Sequence, residues 1–348
     1  MASAATGCSV LRVALIGASH WHAPFYYEPL MGLKGARLCA VSDPNPGAAQ
    51  ALADRCGCPW FTDYRELLAV IRPDFAFALG PHADMPALGQ ALITAGVGFA
   101  LEKPCGTTEA GVARLRDSAA AAGVFAAVPL AFRCSNLVRI LRETTERDPF
   151  HYLSFRFIAG PPQRYLDSGC AWMLDPRRAG GGCTINLAVH FFDLYTLLTG
   201  NIPSVVAAVM SNAAYGLPIE DYSAVTLSGG GASGVVETGY TLPASPTNAF
   251  DLRFSLRSKR HYFTATGADI AGGDRLVTYT MDGRMELVYT PTSQVPYYAD
   301  FVRDTLDRFR RGQPPVAGLS DMWNAMQVAD AAYVLAGRRT PVRKEDES

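Results

Sequence analysis

From residue 10 to residue 128 the chain alternates, at regular spacing, between short apolar runs and helix-forming stretches. The apolar runs span 10–17, 37–43, 74–79, 96–101 and 124–128. Helical stretches at 23–31, 47–56, 86–95 and 109–122 fall between them. Strands linked this way lie parallel, because each helix returns the chain across one face of the sheet before the next strand begins. The pattern therefore predicts a doubly wound parallel sheet with helices on both faces. Its ligands sit outside the carboxyl ends of the strands. Gly17, Asp43, Gly80-Pro81 and Lys103 all fall at those ends.

The first turn reads Gly17-Ala18-Ser19-His20-Trp21-His22. Measured against G-x-G-x-x-G, only the first glycine is present, with Ser19 and His22 in the other two places. The Ser19 N–H and hydroxyl are expected to donate to a phosphate. His20 and Trp21 are candidates for cofactor contact, with surface or packing roles as the alternative. His22 is bulky where helix and strand pack closely. Asp43 lies 26 residues past Gly17, at the tip of the second strand. A carboxylate there accepts both ribose hydroxyls of an adenosine and repels a 2′-phosphate, which points to NAD over NADP. Asp43 followed by Pro44 also reads as the N-cap of the helix over 47–56, and both roles can hold together.

The run 96–101 ends in Glu102-Lys103-Pro104. Arginine supplies most of the positive charge; the only lysines are Lys34, Lys103, Lys259 and Lys344. A lysine kept at a buried strand end is either half of a structural ion pair with Glu102 or a titratable group at a cleft, a role arginine cannot fill. Beyond residue 129 the pattern changes. A helix over 135–146, a strand at 152–157 and a Gly-, Pro- and Arg-rich loop at 160–182 lead to an apolar helix over 183–199. That helix carries Asn186, His190 and Asp193 on one face, at i, i+4 and i+7. The stripe reads either as a satisfied polar cluster in a core or as a substrate-facing surface. A metal site fits it poorly, since asparagine is a weak transition-metal ligand. Short alternating strands from 204 to 289 predict an antiparallel sheet, and helices over 297–311 and 320–335 close the chain.

At 348 residues two domains are expected. A formal net charge of −1 gives no reason to expect nucleic acid or an anionic membrane as a partner. No run of 18 apolar residues is present, and residues 1–7 lack the basic and apolar regions of a signal peptide. The eight cysteines are scattered and are read as reduced thiols of a cytoplasmic protein, with no metal assigned.

Taken together, these residues resemble the glucose–fructose oxidoreductase, inositol dehydrogenase and rhizopine-catabolism (Gfo/Idh/MocA) oxidoreductases. The resemblance rests on Glu102-Lys103-Pro104 at a Rossmann strand end and on Gly180-Gly181-Gly182 before the helix with His190 and Asp193. It rests also on Asp63-Tyr64, Leu67-Leu68 and Pro73-Asp74, and on Pro314-Pro315-Val316 followed by Asp330 to Tyr333 and Gly337. It implies a Rossmann domain over 8–128 and an α+β domain with a large open, mainly antiparallel sheet over 129–345. It further implies a nicotinamide cofactor, a sugar or cyclic-polyol substrate, and a homodimer or homotetramer built on the open sheet. Carried over, Lys103 and His190 are the catalytic pair and Asn186 orients a substrate hydroxyl. Gly17, Ser19, His20, Trp21, Asp43, Gly80, Pro81, Glu102 and Lys103 hold the cofactor. Arg133, Arg164 and Tyr165 lie in loops expected to reach the cleft and are candidates to join Asn186 and His190 on the substrate. Three features depart from the family pattern: Asn186 stands where aspartate is usual, Met85 where a histidine is usual, and the glycine fingerprint is degenerate at Ser19 and His22. A non-catalytic nucleotide-binding regulator on the same scaffold is the competing expectation.

Overall fold

A computed structural model describes residues 10–244, 250–269, 273–289 and 294–340. Its first sheet has six strands: β1 (Leu11–Ile16), β2 (Ala36–Ser42), β3 (Trp60–Phe61), β4 (Phe75–Ala78), β5 (Gly98–Leu101) and β6 (Ala126–Ala127). They are ordered β3-β2-β1-β4-β5-β6 and every pairing is parallel. The order reverses between β1 and β4, so the crevice for a ligand opens above those two strands. Each of β4 and β5 is buried along its whole length, as strands covered on both faces must be.

Helices α1 (Ala23–Met31), α2 (Pro46–Cys56), α3 (Tyr64–Ile71), α4 (Met85–Thr94) and α5 (Glu109–Ala122) connect the strands. The cap of α2 is Asn45, whose side chain accepts from Gly47 N and Ala48 N. Asp43 is thus not the cap; Pro46 begins the helix three residues later and leaves Asp43 at the strand tip. Thr108 caps α5 through Gly111 N.

The second sheet has eight strands: β7 (Tyr152–Ala159), β8 (Ser204–Ser211), β9 (Tyr222–Gly229), β10 (Ala232–Gly239), β11 (Phe250–Arg257), β12 (His261–Asp269), β13 (Gly273–Thr280) and β14 (Met285–Tyr289). Their order is β14-β13-β12-β11-β7-β10-β9-β8, antiparallel except where β7 meets β10. Helix α6 (Asn136–Thr145) precedes β7, and between β7 and β8 the chain forms α7 (Gln163–Asp167), α8 (Pro176–Ala179) and α9 (Val189–Thr199). The stretch read as loop at 160–182 therefore contains helical turns. A π-helical turn, Thr184–Ala188, leads directly into α9. One face of the sheet packs on α9, where Phe155 stacks on Phe191 and Tyr195 lies against Gly234.

The last helices, α10 (Gln294–Arg310) and α11 (Leu319–Leu335), return toward the first sheet. Phe309 of α10 packs on Phe75 and Phe125, and a Cβ at Gly98 would lie 2.5 Å from its ring. Asp330 of α11 accepts from Glu109 N at the start of α5. The chain's end thus cements the parallel sheet that its beginning forms.

Candidate active site

Gly17 ends β1 with φ +92°, and a Cβ there would come within 2.2 Å of the Leu79 carbonyl oxygen. Only glycine fits this turn. Beyond it opens a cleft of about 730 Å³, bordered by Gly17, Ser19, His20, Asp43, Gly80 and Pro81. These come from the ends of β1, β2 and β4, the switch point of the sheet. The far wall is Ser168 to Cys170 and Trp172 from the second half of the chain. A tight glycine turn, a carboxylate at the second strand tip and a cleft between them are the parts an extended dinucleotide requires, so the residues fit an NAD molecule.

Ser19 does not point its donors into open space. Its N–H and hydroxyl both donate to Asp43 Oδ2, each at 2.7 Å, and Asn45 N donates to Oδ1 at 2.7 Å. The serine in the middle glycine place thus orients the acidic residue at the β2 end of the cleft. Trp21 does not border the cleft. It packs on the rings of His22 (3.7 Å between centroids) and Tyr165 (5.7 Å).

Glu102 follows β5 and is 2 % exposed. Its Oε2 accepts from Tyr26 OH (2.5 Å) and faces His22 Nδ1 (3.1 Å), while Oε1 accepts from Lys103 N (3.1 Å). Burial alone would raise the Glu102 pKa; His22, its hydrogen bond and the Lys103 charge outweigh burial and hold it down at about 2. His22, in the third glycine place, is therefore the residue that ties the nucleotide turn to the lysine-bearing strand end. Glu102 lies beneath the cleft and does not border it.

Lys103 is 3 % exposed. Its Nζ donates to Asn186 Oδ1 (2.5 Å) and to the Asn186 carbonyl oxygen (2.8 Å). That carbonyl belongs to the π turn, whose wider ring is a common way to present main-chain groups at functional sites. Burial pulls the Lys103 pKa down to about 8, with Glu102 opposing and Arg164 assisting. His190, 4 % exposed, lies edge-on to Phe132, and its Nδ1 has no hydrogen-bond partner. Burial, and then the Lys103 charge, push its pKa well below 6.5, so it is neutral.

Both ends of Asn186 are used within the protein: Nδ2 donates to Tyr165 OH (2.8 Å) and Tyr240 OH (2.9 Å). Arg164 Nη2 donates to Tyr165 OH (2.7 Å) and its guanidinium lies 4.7 Å from that ring. Arg133 is not brought to this group. Its guanidinium is consumed by Asp193 and Asp321 and by the Val316 carbonyl (3.0 Å). Asp193, on the same stripe as His190, thus faces a structural ion pair and not the lysine.

Two residues here were not singled out from the sequence. His82, directly after Gly80-Pro81, is buried against Trp172 and makes a 2.7 Å bond through Nδ1 to the Ala179 carbonyl. A carbonyl only accepts, so Nδ1 carries the proton. Its place in the exit turn of β4 was the available signal. Tyr240, one residue past β10, carried none: only the tertiary fold brings it to Asn186.

The second half is held in register by Glu220. Its Oε2 accepts from Gly182 N and its Oε1 from Thr184 N, both at 2.9 Å, and Tyr333 OH adds a 2.6 Å bond. A Cβ at Gly182 would lie 2.0 Å from the Glu220 carbonyl oxygen, which accounts for a glycine just before the helix.

A six-stranded switch-point sheet with this cleft and a buried lysine at a strand end define a dinucleotide-binding enzyme of two-domain form. Residues 11–129 match the oxidoreductase family with NAD-binding Rossmann fold, and residues 151–258 match the GFO/IDH/MocA C-terminal domain. The chain belongs to the Gfo/Idh/MocA family and is an NAD-binding oxidoreductase. No protein of curated function matches it in sequence. Among solved structures it is similar to an oxidoreductase from Agrobacterium radiobacter in complex with NAD+, L-tartaric acid and magnesium (TM-score 0.82, 18 % identity, covering 94 % of this chain and 97 % of that one). It is also similar to levoglucosan dehydrogenase in complex with NADH and levoglucosan (0.81, 18 %, 94 % and 97 %). A third is GenD2 from gentamicin A biosynthesis in complex with NAD (0.79, 21 %, 94 % and 95 %). At these identities the likeness is one of fold.

Proposed function

We propose that the chain moves a hydride between NAD and a secondary alcohol or ketone carbon of a sugar or cyclic polyol, with Lys103 and His190 on the reacting oxygen. The observation that carries this is a desolvated lysine at the carboxyl edge of the sheet that forms the NAD cleft, together with a buried histidine that has a free ring nitrogen and feels that lysine's charge. Gly17, Ser19, His20, Asp43, Gly80 and Pro81 hold the cofactor, whose nicotinamide supplies a site that takes or gives the hydride. His190 takes the hydroxyl proton on its free nitrogen, as a buried neutral imidazole can. Lys103 donates to the same oxygen and stabilises the negative charge that grows there, an effect enlarged in a dry site. Arg164 and Tyr165 border the reacting group on the second-domain side. Levoglucosan dehydrogenase, among the similar folds, is the example of a carbohydrate substrate.

The division of labour follows residues 8–128 for cofactor and 129–345 for substrate and association, in the cytoplasm. Among the described helices none is long and apolar enough to cross a membrane. Tyr152, Val209, Val235 and Tyr279 are exposed on the sheet face away from α9, and there the chain associates as a homodimer or homotetramer. The test is reduction of NAD by a panel of sugars and inositols, with Lys103→Ala and His190→Ala beside the parent. Turnover of at least one substrate, lost in both variants, is the expected result. NAD binding with no turnover on any of them would favour a regulator.

A further inference from the structure

The amide of Asn186 has one accepting and one donating end, and the structure uses each on a different partner. Oδ1 accepts from Lys103 Nζ and Nδ2 donates to Tyr165 OH and Tyr240 OH. Both tyrosines and Asn186 are buried, at 1 % exposure or less. Arg164 fixes the phenols in turn. It donates to Tyr165 OH, and its guanidinium lies 4.7 Å from the Tyr165 ring and 5.1 Å from the Tyr240 ring. Turned over, the amide would aim its NH₂ at an ammonium, donor against donor.

We propose that Tyr165 and Tyr240 are positioning residues that lock the Asn186 amide with its oxygen on Lys103, so that the ammonium is held by neutral acceptors and by no carboxylate on that side. This rests on the role assigned to Lys103 above. The groups facing the lysine are Glu102 and Cys105 on its own strand end, Arg164 from α7, and His20, His22, His82 and His190 from the surrounding elements. Burial pushes each of the four histidines below its ordinary value, with Glu102 opposing it at His22. Glu102 is already shared with His22 and Tyr26. Burial then sets the lysine at about 8, where it exchanges its proton within the physiological range. A carboxylate at position 186 would cancel that, since an opposite charge at hydrogen-bond distance favours the ammonium.

The sequence holds four lysines, Lys34, Lys103, Lys259 and Lys344, which makes the lysine itself observable. The experiment is a pH titration of the full chain, with NAD added and lysine labelled with ¹³C at Cε, read by NMR; Lys103→Arg assigns the signal. The parent's Lys103 should titrate well below the ordinary lysine value of about 10.4. Asn186→Asp should raise its midpoint by roughly one to three pH units. Tyr165→Phe and Tyr240→Phe free the amide, weaken its grip on the ammonium, and should lower the midpoint while thermal unfolding stays near the parent's. An ordinary Lys103 midpoint in the parent would overturn the proposal, as would tyrosine variants that leave it in place. The titration reads the lysine without turnover, so its failure is distinct from failure of the assigned reaction, which Lys103→Ala turnover reports.

Discussion

Helix α9 and the π turn before it carry two polar stations on one stripe, about 10 Å apart along the axis from residue 186 to residue 193. At the first, Asn186 offers neutral oxygens to a buried ammonium. At the second, Asp193 meets Arg133 through two hydrogen bonds, and Asp321 joins from α11. Lys103 is buried and Arg133 largely so, and both partners come from one continuous helical segment. One station is neutral on the helix side and leaves its cation titratable. The other is fully charge-paired around an arginine that does not titrate, and it joins the segment Ala131–Cys134, α9 and the start of α11. A titratable and a fixed positive charge are thus separated by which side chains meet the cation, on a single element.

The comparison is broken most severely at the first station. Lys103→Ala and His190→Ala should each lower turnover roughly 100- to 10,000-fold, with the circular dichroism of the parent. Full activity in either variant removes the distinction between the stations. At the second, Arg133→Ala leaves Asp193 buried without its partner and should cost about 3–5 kcal/mol of stability, read from urea midpoints. Joint replacement of Arg133 by Met and Asp193 by Leu should cost less than the single change, because the one carboxylate then left without its cation, Asp321, is part exposed. A cost below about 1 kcal/mol for Arg133→Ala would show that the pair does not hold the fold.

Acid sharpens the same contrast. His20, His22, His82 and His190 all have folded-state pKa values below the ordinary one, mainly from burial; that of His82 falls to about 3. As pH falls below about 6.5 the unfolded chain binds protons that the folded one refuses, so stability is complete above that pH and is lost beneath it. Glu102 and Asp148, both held near 2, add a further loss between about 4.5 and 2. Burial acts against that depression in both; His22 overcomes it for Glu102, and the Ser258, Arg260 and His261 hydrogen bonds for Asp148. Replacing His82 by Asn should flatten the decline between pH 6 and 4 in chemical denaturation; an unchanged slope would mean His82 is charged in the fold. The smallest expected effect is at the cleft. Ser19→Ala removes one of three donors on Asp43 and should weaken NAD about tenfold, roughly 1.4 kcal/mol, by fluorescence titration. Equal affinities would place the hydroxyl outside cofactor binding.

Much of this was legible in local residue order. Alternation of apolar runs and helices specified the parallel sheet, since each helical connection needs its own length of chain and leaves a period in the sequence. Gly17 and the Glu102-Lys103-Pro104 run marked the edge where the cleft opens. Helix α5 begins and ends where its cap residues put it, at Thr108 and Gly123. The expected cap role of Asp43 passed to Asn45, because Pro46 starts α2 and the residue before it has the extended backbone a cap uses.

The partners of the polar residues were not legible. Arg133 and Asp193 are 60 positions apart, Lys103 and Asn186 83, and Asn186 and Tyr240 54. Their residue types allow many pairings. What the sequence by itself determined is the set of elements and the edge of the sheet, because backbone hydrogen bonding and hydrophobic periodicity act over a few residues. The tertiary structure decided which buried charge meets a neutral oxygen and which meets a carboxylate. That choice depends on desolvation and hydrogen-bond geometry, which exist only once the two sheets and the last helices have packed together.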